Sequence, residues 1–254
     1  MNNSNELILK FIETPIPLLK KENWEEIRKI KIIECNEDLV SLDLYPEKII
    51  NHPEYFIQGL KNAISVCYTR ISIYEKLIKA SELLPKGYKF VIFDAYRPVE
   101  LQQSLFDTYK EKLRKENPDL VEEELIKLTL NFVALPSFDE TKPSPHNTGG
   151  AIDLSICDDK GRMLEMGTYF DEMSDIAKTR YFEEKLERGE ELNEKEFEIL
   201  KNRRLLFHLM NYFDFSNFSN EWWHYDYGDQ LWAYHKGKSF AIYGRTKPKF
   251  FWHV

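Results

Sequence analysis

Two short segments of this 254-residue chain concentrate side chains that bind divalent metals, and the fold must bring the two together. The first reads Ser144-Pro-His146-Asn-Thr-Gly149-Gly-Ala151-Ile-Asp153, and the second reads Glu221-Trp-Trp-His224. Together they supply two imidazoles and two carboxylates. A hydrolytic zinc site requires three protein ligands, an open position for water and a base beside it. The residue types therefore predict a site of this kind.

Hydrophobic periodicity predicts that helices and strands alternate along the chain. Apolar residues at helical spacing predict an amphipathic helix over about residues 63–84. The aromatic and β-branched segment 88–94 predicts a buried strand, with Arg97 in the turn that follows. Further helices are predicted over residues 99–115, over residues 118–133 with Asn117 as N-cap, and from a capping box of Asn193 and Glu196 to about Met210.

The alternation after the Gly149-Gly150 pair predicts a strand over residues 151–156 and assigns its two faces. The core face takes Ile152, Leu154 and Ile156, and the opposite face takes Ala151, Asp153 and Ser155. Asp153 can therefore point towards a ligand.

The second half of the site needs a break in regular structure. Strict strand geometry would put Glu221 and His224 on opposite faces, because they are three residues apart, so a bend or a strand end must separate them. The charged stretch 171–198 that precedes them is most simply a solvated face.

Composition limits the classes of partner. A net charge of −8 and a pI near 5.4 argue against nucleic acid or an anionic membrane, which require clustered Lys and Arg. No apolar stretch approaches the ~20 residues of a membrane span. Charges at Lys10, Glu13, Lys20 and Lys21 interrupt any signal-peptide core, so the cytoplasm is the expected compartment.

Read as S-x-H-x-x-G-x-A-x-D and E-x-x-H, the two segments resemble the zinc D-Ala-D-Ala peptidases (peptidase M15). Flanking motifs narrow the resemblance to D-alanyl-D-alanine dipeptidases of the VanX type, and all occur in the family's order. They are Asp94-Ala-Tyr-Arg97-Pro98, Met166-Gly-Thr-Tyr-Phe-Asp171, Asn202-Arg-Arg-Leu-Leu-Phe-His-Leu-Met210 and Glu221-Trp-Trp-His-Tyr225. The resemblance covers roughly residues 60 to 230, and the first fifty or so residues match poorly.

The resemblance implies a fold and a reaction. The expected fold is α+β, an antiparallel sheet flanked by helices of the hedgehog/D-Ala-D-Ala peptidase type, with residues 1–254 as a single domain. The expected reaction is hydrolysis of D-alanyl-D-alanine to two D-alanines, with one Zn²⁺ per chain and no nucleic acid or membrane partner. A small dipeptide is compatible with the acidic composition.

Roles for individual residues also follow from the resemblance. His146, Asp153 and His224 would hold zinc, and Glu221 would be the general base. Arg97 would meet the charge that develops on the carbonyl oxygen. On the substrate, Asp171 would bind the free ammonium group and Ser144 would help to hold the carboxylate.

Alternatives remain open at several positions. Arg97 could be a salt-bridge partner of Asp94, Asp171 a surface acid and Ser144 a turn hydroxyl. The other histidines, His52, His208, His235 and His253, are not expected to bind metal, Trp222 and Trp223 are expected in the core, and Cys35, Cys67 and Cys157 are expected to be buried and unpaired.

Two other functions are also open. A zinc D,D-carboxypeptidase acting on muropeptides is disfavoured by Asp171 and by the lack of an export signal. A non-catalytic zinc-stabilised binding module would keep the three ligands but would not need Glu221 or Arg97.

Overall fold

The structure, a computed structural model, describes residues 3–130 and 133–249. It combines helices with a central mixed sheet, which confirms the predicted α+β class. The helices are α1 (Asn3–Glu13), α2 (Trp24–Ile27), α3 (Glu54–Ile57), α4 (Ile71–Leu83), α5 (Val99–Glu116), α6 (Glu122–Leu130), α7 (Tyr181–Glu187), α8 (Glu194–Tyr212) and α9 (Gln230–His235). The strands are β1 (Lys31–Ile32), β2 (Leu39–Ser41), β3 (Ile49–Asn51), β4 (Tyr68–Arg70), β5 (Lys89–Asp94), β6 (Ala151–Cys157), β7 (Ser216–Asn217), β8 (His224–Asp226) and β9 (Phe240–Ala241).

The central sheet has five strands in the order β3-β5-β6-β8-β7. Neighbours are antiparallel except for β3 and β5, which run parallel, so the predicted antiparallel sheet has one parallel edge. Two-stranded pairs of β1 with β9 and of β2 with β4 lie outside it.

The main core lies between the sheet and helices α1, α4 and α8. Strand β6 contributes Ile152, Leu154 and Ile156 to this core, as its alternation predicts. Asp153 and Ser155 are also buried but occupy the opposite face. The strand therefore turns its carboxylate away from the aliphatic core.

Register aligns polar residues across three strands. Asp94 at the end of β5 pairs with Asp153 on β6, and Asp153 pairs with His224 at the start of β8. Directly paired residues share a face of the sheet. The hydrogen-bonded ladder therefore forms one row of site residues from segments far apart in sequence.

Several local predictions are confirmed. Strand β5 and helix α5 occur where expected, and Asn193 forms the predicted capping box with Glu196 at the start of α8. Trp222 and Trp223 are buried in the core. The three cysteines are unpaired, and Cys67 and Cys157 are buried.

Other local predictions are wrong. The helix predicted from residue 63 begins only at Ile71, because residues 68–70 form β4 against β2. Asn117 is the C-cap of α5 rather than the N-cap of the next helix, since its side-chain amide donates to the Leu113 carbonyl (3.0 Å) and α6 starts at Glu122. The predicted end of that helix includes residues 131–132, which lie outside the described residues. Cys35 is exposed.

The charged stretch 171–198 is more than a solvated face. It contains α7, whose Phe182 packs with Leu192 and with residues of α8 in a second core cluster. Glu183 is buried and pairs with Arg204 (2.6 Å). Within the described ranges, no helix is long and apolar enough to cross a membrane.

Candidate metal and substrate site

His146, Asp153 and His224 converge at the row formed by β5, β6 and β8, and all three are buried. His146 comes from a 3₁₀ turn (Pro145–Thr148) just before β6. Its Nε2 lies 3.2 Å from His224 Nδ1 and 3.4 Å from Asp153 Oδ2. His224 Nδ1 lies 2.9 Å from Asp153 Oδ1. One nitrogen of each imidazole therefore faces the same carboxylate.

The other nitrogen of each imidazole forms a hydrogen bond on the side away from Asp153. His146 Nδ1 donates to the Ala95 carbonyl (2.7 Å), and His224 Nε2 donates to Asp226 Oδ1 (2.9 Å). Such bonds fix the tautomer and the ring orientation of a metal-binding histidine. Both rings are therefore oriented with their second nitrogen on the side of Asp153.

Burial and neighbouring charges set the protonation states of the three residues. Burial and the nearby Arg97 lower the pKa of His146 to about 3, which keeps its imidazole neutral. Burial opposes ionisation of Asp153, but His146 and His224 outweigh it and lower its pKa. Burial also opposes charge on His224, but Asp226 and Asp153 outweigh it and hold its pKa well above the usual range. The carboxylates that favour a proton here favour a metal cation for the same reason.

The donor set fits zinc. One ligand atom from each of the three residues lies within 4.8 Å of the others. Two imidazole nitrogens with one carboxylate oxygen are typical of catalytic zinc sites, whereas magnesium and calcium prefer oxygen ligands throughout. Three protein ligands also match the number at which a catalytic site keeps a position open for water.

Glu221 lies beside this cluster without belonging to it. A turn covers residues 221–224, closed by the His224 N–H donating to the Glu221 carbonyl (3.3 Å), so the predicted bend is present. Glu221 Oε2 is 3.8 Å from His224 Nδ1, and its side chain is 30% exposed. Burial, reinforced by Asp153 and Asp171, raises the pKa of Glu221 to about 7. A carboxyl group of this pKa can both take and return a proton near neutral pH.

Arg97 forms the salt bridge to Asp94 that the sequence left open, and it also lies beside the candidate metal ligands. It pairs with Asp94 (2.7 Å) and donates to Gln102 Oε1 (2.7 Å), which fixes the guanidinium plane. The same group lies 3.8 Å from Asp153 Oδ2. The salt bridge to Asp94 therefore holds a cation next to the metal ligands.

Asp171 lies on a loop that α8 anchors. Arg203 of α8 is buried and donates to the carbonyls of Met166 (2.8 Å), Ile176 (2.7 Å) and Lys178 (2.7 Å), on both sides of Asp171. Asp171 itself has a left-handed backbone with φ of 61°, which is rare for a residue other than glycine. Such backbone strain persists where the surroundings enforce it and is frequent at ligand sites.

The Asp171 carboxyl group faces the same region as Arg97. Burial raises its pKa to about 7, while Arg97 and a hydrogen bond from Tyr55 act in the opposite direction. Tyr55 is buried, and its hydroxyl also accepts from Arg97 (3.4 Å). Tyr55 thus joins the proposed ammonium-binding acid to the guanidinium, a link the sequence reading missed.

Ser144 is the residue just before the 3₁₀ turn that carries His146. It is half-buried, and its hydroxyl has no hydrogen-bond partner within residues 3–130 and 133–249. The other histidines do not join the cluster: His52 pairs with Glu54, His208 with the Thr14 carbonyl and His235 with Glu22. His253 lies outside the described residues.

The sequence reading also missed two carboxyl groups behind His224. Asp226 is fully buried, and its Oδ2, like Oδ2 of the neighbouring Asp229, has no hydrogen-bond partner in the described structure. Burial and the neighbouring Asp226 hold the pKa of Asp229 well above its usual range, which favours the protonated form of Asp229. The spacing of His224 and Asp226, two apart on one strand, was a signal for this contact.

Comparison with known proteins identifies the family to which this chain belongs. The family model described as D-ala-D-ala dipeptidase matches residues 59–243. The chain belongs to this family. A D-alanyl-D-alanine dipeptidase of Synechocystis sp. (strain ATCC 27184 / PCC 6803 / Kazusa) is 30% identical, over 86% of this chain and 95% of the relative.

More distant similarities are also found. A D-alanyl-D-alanine dipeptidase of Escherichia coli (strain K12) is 29% identical over 61% of this chain and 63% of the relative. A solved structure of VanYB in complex with D-Alanine-D-Alanine is 18% identical over 70% of this chain and 83% of that chain, with a TM-score of 0.34. Membership of the D-Ala-D-Ala dipeptidase family confirms the resemblance and makes the chain a peptidase.

Residues before the family match also support the site. Glu22 accepts hydrogen bonds from the backbone N–H (3.1 Å) and the hydroxyl (3.0 Å) of Ser219, two residues before Glu221. Tyr55 likewise precedes residue 59, where the D-Ala-D-Ala dipeptidase match starts. The N-terminal part of this dipeptidase-family chain therefore contacts both the turn that carries Glu221 and the Asp171 side of the candidate site.

Proposed function

We propose that this protein is a zinc-dependent dipeptidase that hydrolyses D-alanyl-D-alanine to two D-alanines. One observation supports this proposal most strongly. The carboxylate of Glu221 and the guanidinium of Arg97 each lie within 3.8 Å of a buried cluster of two imidazoles and a carboxylate. The names of the curated relatives support the choice of substrate. The proposal takes residues 1–254 as one domain that acts in the cytoplasm, and both remain predictions.

The proposed mechanism assigns zinc to His146, Asp153 and His224. Zinc held there would polarise the scissile carbonyl and lower the pKa of a water molecule towards ~7. Glu221 would accept a proton from the attacking water and return it to the leaving amine. Arg97 lies ready to stabilise negative charge on the carbonyl oxygen, and its bonds to Asp94 and Gln102 keep it in place during the reaction.

Substrate selection is assigned to the two ends of the dipeptide. Asp171 would pair with the free ammonium group, and the unpaired hydroxyl of Ser144 would donate to the carboxylate. A peptide extended at its N-terminus carries no charge there and would leave the half-buried carboxylate of Asp171 without an ionic partner, at a cost of ~1–3 kcal/mol or more. This selection distinguishes a dipeptidase from a D,D-carboxypeptidase.

Three variants test the catalytic part of the proposal. Glu221→Gln should retain zinc while turnover falls by ~10²–10⁴, the range for a positioned acid or base. His146→Ala and His224→Ala should each lose zinc by elemental analysis. Full zinc content in both histidine variants would overturn the ligand assignment, and loss of zinc in Glu221→Gln would make Glu221 a ligand.

The range of substrates hydrolysed tests the proposed substrate selection. The purified protein should hydrolyse D-alanyl-D-alanine far faster than its N-acetylated form or a pentapeptide ending in D-Ala-D-Ala. Equal rates on the dipeptide and the pentapeptide would favour the carboxypeptidase alternative. Stoichiometric zinc without hydrolysis of any of the three would favour a binding module.

A further inference from the structure

A cavity of about 920 Å³ lies between residues 28–34 and residues 244–249, and none of its lining residues belongs to the candidate metal site. Glu140 and Thr141 close one side of it. Its volume falls within the ~300–1,000 Å³ of small-molecule sites. Both main walls lie outside residues 59–243, so the cavity is built by parts of the chain that the family match does not cover.

The lining of this cavity is strongly cationic. Six Lys and Arg side chains line it, against the two acids Glu34 and Glu140: Arg28, Lys29, Lys31, Arg245, Lys247 and Lys249. The whole chain has the opposite balance, with 35 basic and 43 acidic residues. Glu34 is already paired with the buried Arg70 (3.1 Å), which leaves only Glu140 to offset the cations.

Most of these cations lack a partner. Among the residues that the structure describes, Arg28, Lys29, Lys31 and Lys247 form no ion pair or hydrogen bond through their side chains. Lys249 pairs with Asp38, while Arg245 donates to two backbone carbonyls and keeps a buried Nε without a partner. Clustered like charges repel, so an anion bound among them would be stabilised by several at once.

The walls of the cavity are held in place by backbone contacts. Strands β1 and β9 pair in parallel, and Gln230 Nε2 donates to the carbonyls of Ile30 (2.6 Å) and Thr141 (3.2 Å). Arg70 donates to the Gly244 carbonyl (2.9 Å). The site is therefore preformed rather than assembled from mobile tails, which lowers the entropic cost of binding.

We propose that this cavity binds a small molecule carrying a diphosphate group. A phosphate oxygen accepts the forked donors of Arg and the point charges of Lys, and two adjacent phosphates match four free cations better than one carboxylate does. The half-buried Ile30 and Ile32 add an apolar surface for an attached organic group, such as a nucleoside. A long polyanion such as nucleic acid is disfavoured by the net charge of −8 of the whole chain.

Calorimetric titration of the full-length, zinc-loaded protein tests this assignment with four probes: ADP, inorganic pyrophosphate, inorganic phosphate and adenosine. ADP and pyrophosphate should bind and weaken as salt rises, and adenosine should give no heat. Tighter binding of ADP than of pyrophosphate would identify the ligand as an organic diphosphate. Equal binding of the two probes would identify it as an inorganic diphosphate. Because phosphates also chelate zinc, zinc content is measured after each titration.

Charge reversal localises the binding. Lys31→Glu with Lys247→Glu should weaken pyrophosphate binding at least tenfold, because two charged hydrogen bonds are lost and two repulsive charges are introduced. The matched control, Lys115→Glu with Lys127→Glu on exposed positions of α5 and α6, should bind as the unmodified protein does. If the reversed variant fails to fold, Lys31→Gln with Lys247→Gln replaces it. Absence of binding by both diphosphates, or equal loss in the control, would overturn the assignment.

Discussion

Replacing Asp226 with asparagine measures how much the carboxylate behind His224 contributes to metal binding. In the structure Asp226 Oδ1 accepts from His224 Nε2 at 2.9 Å, and Asp226 is fully buried. A hydrogen bond to a charged acceptor contributes ~1.5–3 kcal/mol, against ~0.5–1.5 kcal/mol for a neutral one. Asparagine keeps the acceptor but removes the charge, so the expected loss is about 1–1.5 kcal/mol.

That loss corresponds to roughly tenfold weaker zinc binding, at the lower end of the ~10–100-fold typical of residues that orient metal ligands. Asp226→Ala removes the acceptor as well and should approach about 100-fold. The amide nitrogen of asparagine can donate to the unpartnered Asp229 Oδ2, so Asp226→Asn should remain folded.

The assay is competition for zinc between the protein and a chromophoric chelator at fixed pH. Asp229→Asn is the matched control: its side-chain oxygen can still accept from the Trp232 N–H (2.8 Å) and cap α9, and it does not contact His224. It should bind zinc nearly as tightly as the unmodified protein. Unchanged zinc affinity in both Asp226 variants would refute the role given to this carboxylate.

Three further changes have expected outcomes. The pKa of Asp171 is raised to about 7, and pairing with an ammonium group needs the ionised form of Asp171. KM for D-alanyl-D-alanine should therefore rise as the pH falls below about 7, and Asp171→Asn should abolish this pH dependence. A KM of the unmodified protein that does not change with pH would contradict the role of Asp171. Arg97→Lys loses the planar fork that binds both Asp94 and Gln102, so kcat should fall by ~10²–10³ with zinc content unchanged, and steady-state kinetics showing near-normal kcat would argue against its role. Asn193→Ala removes the capping box of α8 and should lower the free energy of unfolding in urea by about 1 kcal/mol with kcat unaffected; no change in stability would mean that the cap is dispensable.

Local signals in the sequence were sufficient where the cause is local. The alternation of β6 placed Asp153 opposite the aliphatic core, and the spacing of Asn193 and Glu196 located the start of α8. The prediction for Asn117 was wrong because a short amide side chain can bond to the backbone at either end of a helix. Here the side chain caps the C-terminal end of α5.

Features that depend on long-range pairing could not be predicted from local patterns. Strand β4 forms because it pairs with the distant strand β2. Its own sequence does not show this pairing, and its residues were therefore predicted as part of the helix that follows. Tyr55 reaches Arg97 only through the folded structure, and no spacing within its own segment marks it as a site residue. The family resemblance recovered the rest of the candidate site, because it summarises contacts that a single sequence does not reveal.

The row of Asp94, Asp153 and His224 across β5, β6 and β8 determines where this chain can change length. Inserting or deleting one residue in β6 would rotate every following side chain to the opposite face, exchanging Asp153 for an aliphatic neighbour. Loops that precede the row, such as residues 135–143, can gain or lose residues without this exchange. Related chains are therefore expected to differ in length around these three strands and to keep the strands themselves free of gaps.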